Sequence, residues 1–298
     1  MDFEALNEFL IQRRIKFKKD AKTAQYVSIN VGGIASFITF PDTIEKMCDI
    51  IRFVQGKYKY FILGNGTNCY FSNLYEGIVI STTELNKIYQ DKNIIIADCG
   101  ASLNDCAICA YESGLSGAEF VYGIPGSVGG GIYMNASAFG GMISQIVKEC
   151  TVYDTFDNSI LKLSHNEMEF GTKSSIFMKN RYVALSAKFE LSHGDKQTIK
   201  SMMENYWQKR EVSQPLDMPS AGSAFKRPIN GYASQLIDDA GLKGFSIGGA
   251  QVSPKHAGFI VNKGNASAKD INQLLEEIKR IVKFKFDVDL DEEIIYVE

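Results

Sequence analysis

Apolar positions along the chain switch between two periods. Phe3, Leu6, Phe9 and Leu10 recur at helical spacing and predict a short amphipathic helix. Residues 34–40 (IASFITF) read as a strand closed by Pro41 and Asp42. Helical periodicity follows over 43–55, then a second strand over 59–63, and GNGTN at 64–68 is a turn directly after it. Further strands are predicted at 77–81 and 93–100, and a helix at 104–113. Val183, Leu185, Ala187, Phe189 and Leu191 alternate, which puts them on one face of a strand over 182–191. Strands and helices mixed in this order indicate an α+β architecture.

The pattern changes near residue 192. SHGDKQ reads as a linker, TIKSMMENYWQKR as a charged helix, and SQPLDMPSAG (213–222) as a loop. Ser267 and Asp270 then form a start resembling a capping box for a helix whose stripe is Ile271, Leu274, Leu275, Ile278 and Val282. The expected organisation is an N-terminal helical segment over 1–20, a first domain over 21–192 and a second over 200–298.

Composition narrows the classes of function. With 32 basic and 35 acidic residues the net charge is −3, against nucleic acid as a partner, which calls for a basic face. No apolar run approaches the roughly 18–20 residues of a membrane span. The first 20 residues carry acids early and basic residues late, the reverse of a secretory signal, so the expected location is cytoplasmic. The six cysteines are expected as reduced thiols. Cys106 and Cys109 form a CxxC, but on a predicted helix with no second pair, so packing is the better account. Three widely spaced histidines argue against a metal site. A monomer is compatible with all of this.

The sharpest feature is YGIPGSVGGGIYMNASAFGG at 122–141, where 7 of the chain's 26 glycines fall within 20 residues. Glycine weakens helices and strands, so this density needs a reason. Bare backbone approaches a ligand closely, and unusual dihedrals aim N–H groups at an anion. The spacing is neither a Rossmann fingerprint nor a Walker A loop. GNGTN is a second loop of this kind. Two such loops without a mononucleotide signature favour a dinucleotide cofactor; crowded turns are the plainer alternative.

Together with SAGSAFKRP and GLKGFSIGGAQVSPKHAGFIVNKGNAS, these segments resemble the UDP-N-acetylenolpyruvoylglucosamine reductase (MurB) family, in the same order over roughly residues 25–297. The uninterrupted stretch 191–213 resembles the shorter subtype common in Firmicutes. The resemblance implies an FAD-binding domain of the vanillyl-alcohol-oxidase (PCMH) type and a C-terminal α+β substrate-binding domain. It implies non-covalent FAD, NADPH as hydride donor, and a UDP-sugar whose enolpyruvyl group is reduced to give UDP-N-acetylmuramate for peptidoglycan. Small molecules are then the partners, with neither nucleic acid nor membrane.

Carried over position by position, the resemblance makes Ser223 the proton donor and Glu293 the catalytic glutamate. Lys226, Arg227 and His256 fall where substrate is contacted. Cofactor contacts fall on Gly64, Asn65, Gly66, Thr67 and Asn68, on Gly123, Ile124, Pro125, Gly126, Ser127, Gly129 and Gly130, and on Asn135 and Ala136. Where the family has Tyr-Arg, this chain has Thr172-Lys173, so Lys173 becomes the cation facing the developing charge. Lysine keeps that charge without the planar fork. Ile295 stands where a basic residue is frequent, and VSINVGG replaces the usual Thr-Phe-Arg-Val-Gly-Gly. Two alternatives stay open at this point. One is a flavin oxidase of the same superfamily with another substrate, some of which tether FAD through His or Cys; Cys69 lies beside GNGTN. The other is a catalytically silent flavin or nucleotide-sugar binder, suggested by Lys173.

Overall fold

The computed structural model of the chain describes residues 3–179, 181–229 and 231–298. The chain divides into two compact units. The first comprises Met1–Lys19, Phe37–Asn65 and Glu76–Gln208, the second Asp20–Ser36, Gly66–Tyr75 and Lys209–Glu298.

The first unit has two hydrophobic clusters. In one, helix α1 (Glu4–Gln12) buries Leu6 and Leu10, while Phe9 stacks on Phe53 at 4.2 Å. Helix α2 (Ile44–Val54) starts where the Thr43 side chain accepts from Lys46 N–H, and it buries Met47, Cys48, Ile50, Ile51 and Val54. Strand Tyr60–Leu63 runs parallel to residues 78–81. The second cluster lies on a five-stranded antiparallel sheet, in the order Ser159–Ser164, Val147–Asp154, Tyr182–Glu190, Ile94–Asp98, Ile88–Asp91. Of the predicted face, Leu185, Ala187, Phe189 and Leu191 are buried and Val183 is half-buried. Helices α3 (Leu103–Glu112) and α4 (Val128–Tyr133) bury Leu103, Cys106, Val128 and Ile132 in the same cluster. Cys106 is therefore core, and Cys109 is half-buried beside it.

The segment read as a linker is ordered. Ser192–His193 pairs antiparallel with Leu115–Ser116, and helix α5 (Lys196–Ser213) opens where Asp195 accepts from Thr198 N–H at 2.8 Å. Asp is frequent both at helix starts and in loops because its carboxylate accepts from backbone N–H groups two or three residues on.

The second unit is built on a four-stranded antiparallel sheet, in the order Ser220–Ser223, Phe259–Asn262, Ala250–Val252, Ser246–Ile247. The end of the expected 213–222 loop is thus an edge strand. Ser-Ala-Gly-Ser has no apolar alternation to announce it; pairing with Phe259 and Val261 makes it one. Helix α6 (Ala233–Asp239) packs against helix α7 (Ala268–Phe286), which packs on the sheet. The capping box of α7 is present: Ser267 Oγ accepts from Asp270 N–H at 3.1 Å, and Asp270 accepts from Ser267 N–H at 2.9 Å. All five residues of its predicted stripe are buried. The last strand, Ile295–Val297, runs parallel to Cys69–Phe71.

Candidate functional site

In the first unit the glycine cluster is a set of close backbone approaches. A Cβ on Gly64 would stand 2.2 Å from Ser127 Oγ, one on Gly129 would stand 3.1 Å from Cys99 Cβ and O, and one on Gly131 would stand 2.9 Å from Leu103. Gly129 N–H donates to Cys99 O at 2.7 Å, and Leu103 N–H to Gly126 O at 3.0 Å. Gly130 differs: it is exposed, and an added Cβ would meet only Ser127 Oγ, at 3.3 Å. Ser127 is buried and its Oγ accepts from Gly130 N–H, capping α4. Gly123 has φ +76°, and its N–H donates to Asn104 Oδ1 at 2.9 Å. Asn65 Nδ2 donates to Pro125 O at 2.9 Å, which ties the first half of GNGTN to the loop containing Ile124.

The same framework carries Lys173. Asn135 is buried, donates from Nδ2 to Gly171 O at 2.9 Å and accepts from Ser144 N–H at 3.0 Å. Gly171 and Ser174 close a turn, Gly171 N–H to Ser174 O at 3.0 Å, with Lys173 inside it at φ +52°. Ser175 Oγ donates to Tyr133 O at 2.8 Å. Ala136 N–H bonds Gly131 O, so the residues on either side of the Asn135 kink belong to one hydrogen-bonded set. A bulky residue in the left-handed region costs about 1–2 kcal/mol. Such strain is found where surrounding structure over-determines a functional backbone.

The second unit holds Ser223, Lys226, Arg227, His256 and Glu293. Gly222 has φ +74° and precedes Ser223, which pairs with Phe259. Ala224 N–H donates to Gly258 O at 2.9 Å, and Glu293 N–H donates to Ala224 O at 2.8 Å. Phe225 and Glu292 form a β-bridge, and Lys226 N–H donates to Asp291 O at 2.8 Å. Ser223 and Glu293 thus lie on adjoining hydrogen-bonded segments. Gly66 and Thr67 belong here as well: Gly66 O accepts from Ser28 N–H at 2.9 Å, and Thr67 O would be 4.0 Å from a Cβ on Gly222. Asn68 Nδ2 donates to Glu293 O at 2.9 Å.

His256 Nδ1 accepts from Gly258 N–H at 3.1 Å, so the neutral ring carries its proton on Nε2. Burial holds its pKa below the ordinary histidine value, with Lys243 acting in the same direction. Arg227 is exposed, donates to Gly231 O at 3.1 Å and lies 4.1 Å from the Tyr232 ring centroid. Sequence reasoning overlooked Asn104, which holds Gly123, and Ser28, which donates from Oγ to Ser220 O at 2.5 Å. A polar residue at the first position of a predicted helix was the available signal for Asn104; Ser28 offered none. Among the described residues no group of acids, cysteines and histidines is placed to hold a metal, and no helix is long and apolar enough to cross a membrane.

Two family models match the chain: an FAD binding domain over residues 35–164, and the C-terminal domain of UDP-N-acetylenolpyruvoylglucosamine reductase over 214–297. The UDP-N-acetylenolpyruvoylglucosamine reductase of Clostridium novyi (strain NT) is 44% identical over 281 residues, covering 94% of this chain and 91% of that protein. The chain belongs to the UDP-N-acetylenolpyruvoylglucosamine reductase family. The crystal structure of the family member from Thermus caldophilus superposes with a TM-score of 0.81 at 28% identity, over 96% of this chain and 99% of that one. A glucooligosaccharide oxidase from Acremonium strictum, whose crystal structure reveals a novel flavinylation, shares the fold with a TM-score of 0.50 at 11% identity, over 98% of this chain and 60% of that one. The α+β reading, an FAD-binding domain followed by the family's own C-terminal domain, therefore stands.

Proposed function

We propose that the chain reduces the enolpyruvyl group of UDP-N-acetylglucosamine enolpyruvate to UDP-N-acetylmuramate with NADPH, in the cytoplasm, for peptidoglycan precursor synthesis. The observation that carries this is the near full-length identity to a reductase of that name, 44% over 94% of the chain. FAD, reduced by NADPH, supplies hydride to the enolpyruvyl double bond when bound. The residues fit such a group: α4 presents bare backbone at Gly130, braced from below by Ser127. On this reading Ser223 delivers the proton, Glu293 supports that delivery, and Lys173 faces the charge that builds beside the substrate carboxylate. Lys226, Arg227 and His256 hold the sugar nucleotide, His256 as an Nε2–H donor. Residues 21–192 serve the flavin and 200–298 the substrate, after a helical segment over 1–20. The family models at 35–164 and 214–297 support these bounds. The compact units assign 20–36 and 66–75 to the same unit as the C-terminal residues.

The direct test is steady-state NADPH oxidation by the purified protein, expected only when the enolpyruvyl sugar nucleotide is added. Oxidation that ignores this substrate would overturn the assignment. The flavin is expected to be non-covalent. Burial pushes the Cys69 thiol up to about 12, which leaves almost no thiolate to attack a flavin ring. Denaturation should release all yellow colour into the supernatant; colour retained on the precipitated chain would show a tether.

Gly130, not Gly129, is the position at which a side chain tests cofactor binding. A side chain on Gly129 acts through Cys99, within the protein. A Cβ on Gly130 meets one atom, Ser127 Oγ at 3.3 Å, which must give by a few tenths of an ångström, and the position is otherwise exposed. Gly130→Val should keep the wild-type circular dichroism spectrum and lose most of its FAD, read as the ratio of absorbance near 450 nm to that at 280 nm. Full FAD content in Gly130→Val would remove Gly130 from the cofactor contacts.

A further inference from the structure

We propose that Asn68, the last residue of GNGTN, is a positioning residue for Glu293 and not a cofactor ligand. The proposal rests on the reading of Glu293 as a catalytic group. A main-chain carbonyl only accepts hydrogen bonds, so the Asn68 end at 2.9 Å from Glu293 O must be its NH2. The main chain of Asn68 meets the same strand, its C=O accepting from Ile295 N–H at 2.9 Å. Asn68 therefore grips the segment at two successive points, one through its side chain and one through its backbone.

The Glu293 backbone is held from both sides. Its N–H donates to Ala224 O at 2.8 Å, adjacent to Ser223, and its C=O accepts from Asn68. Fixing both groups fixes the peptide planes on either side of its Cα, and with them the direction in which the side chain leaves the strand. Gly66, two residues before Asn68, is tied to the Ser223 strand through Ser28. Gly66 O accepts from Ser28 N–H, and Ser28 Oγ donates to Ser220 O at 2.5 Å. The proton donor and the glutamate thus share one frame, and the side-chain amide of Asn68 is the link that a substitution can remove alone. The backbone bond to Ile295 and the parallel pairing of Ile295–Val297 with Cys69–Phe71 need no side chain, so the strand stays in place without the amide. What is lost is the hydrogen bond that holds the Glu293 carbonyl, while the bond from its N–H to Ala224 O stays. Misplacing a reacting group by about 1 Å costs on the order of 10²-fold in rate.

The test uses Asn68→Ala, Glu293→Gln and the double variant as holoenzymes. FAD content, flavin reduction by NADPH, and reoxidation by the enolpyruvyl sugar nucleotide are measured separately by stopped flow. Asn68→Ala should keep FAD content and reduction rate within about 2-fold, and should slow reoxidation about 10–100-fold. In the Glu293→Gln background the same change should cost less than about 2-fold, because residues acting through one group are not additive. Loss of FAD or slowed reduction in Asn68→Ala would return Asn68 to the cofactor and overturn the proposal. So would a full further loss in the Glu293→Gln background, which would mark a general structural effect. Slow Glu293→Gln with a wild-type Asn68→Ala would overturn positioning alone. Wild-type reoxidation in Glu293→Gln would overturn the catalytic reading and the positioning with it.

Discussion

Ser223→Ala is expected to be reduced by NADPH at the wild-type rate and to be reoxidised by the enolpyruvyl substrate about 10²–10⁴-fold more slowly. The split follows from the order of events. Reduction by NADPH needs no proton donor at the sugar, whereas completing the product does. Ser223 sits at the end of an edge strand, after a glycine at φ +74° and before Ala224, whose carbonyl binds the Glu293 N–H. Its pairing with Phe259 is through the backbone, so alanine keeps the strand. A serine hydroxyl is a weak acid by itself. Lys226 and Arg227, three and four residues on, and Glu293 on the adjoining segment provide charges able to tune it. Ser223→Cys supplies a stronger acid at the same position and should reoxidise faster than the alanine variant. Reoxidation of Ser223→Ala at the wild-type rate would take the proton-donor role away from Ser223.

The helices were legible because their burial is periodic. The stripe of α7 and its Ser267–Asp270 box, the alternation over 182–191 and the amphipathic α2 are all local patterns. Strand Lys16–Lys22 (KFKKDAK) was not, since Ala21 is its one buried residue. Its lysines follow the habit of edge strands, which discourage pairing with other chains by carrying charge. Strand Ser220–Ser223 was hidden for a related reason: its partner, not its composition, makes it a strand. The glycine cluster was visible as density, and a ligand was one of two explanations offered. Gly64, Gly129 and Gly131 allow backbone or side chain of the same unit to approach, and Gly130 opens outward. GNGTN divides: Asn65 bonds Pro125 in one compact unit and Asn68 bonds Glu293 in the other. A partner 225 residues away in sequence leaves no trace in local spacing. The resemblance supplied Ser223 and Glu293; periodicity alone would have left them as a turn serine and one acid among several.

Lys173→Met is expected to slow reoxidation about 10²–10³-fold, the loss of roughly 3 kcal/mol that follows removal of one preorganised donor. Methionine keeps much of the length and removes the charge, so packing is held nearly constant. The turn itself should survive, because its closure is through backbone: Gly171 N–H to Ser174 O, with Asn135 Nδ2 holding Gly171 O from outside. Lys173→Arg should be tolerated or faster, since it restores a planar two-pronged donor to a carboxylate. The φ of +52° gives a third variant its use. Lys173→Gly relieves a left-handed cost of about 1–2 kcal/mol but adds chain entropy worth about 0.5–1 kcal/mol to the unfolded state. Its stability should therefore stay within about 1 kcal/mol of wild type, while its reoxidation falls with that of Lys173→Met. If Lys173→Met and Lys173→Gly both reoxidise at the wild-type rate, the cation facing the substrate carboxylate lies elsewhere, and the replacement of Tyr-Arg by Thr172-Lys173 marks a chain that handles that charge differently from its family.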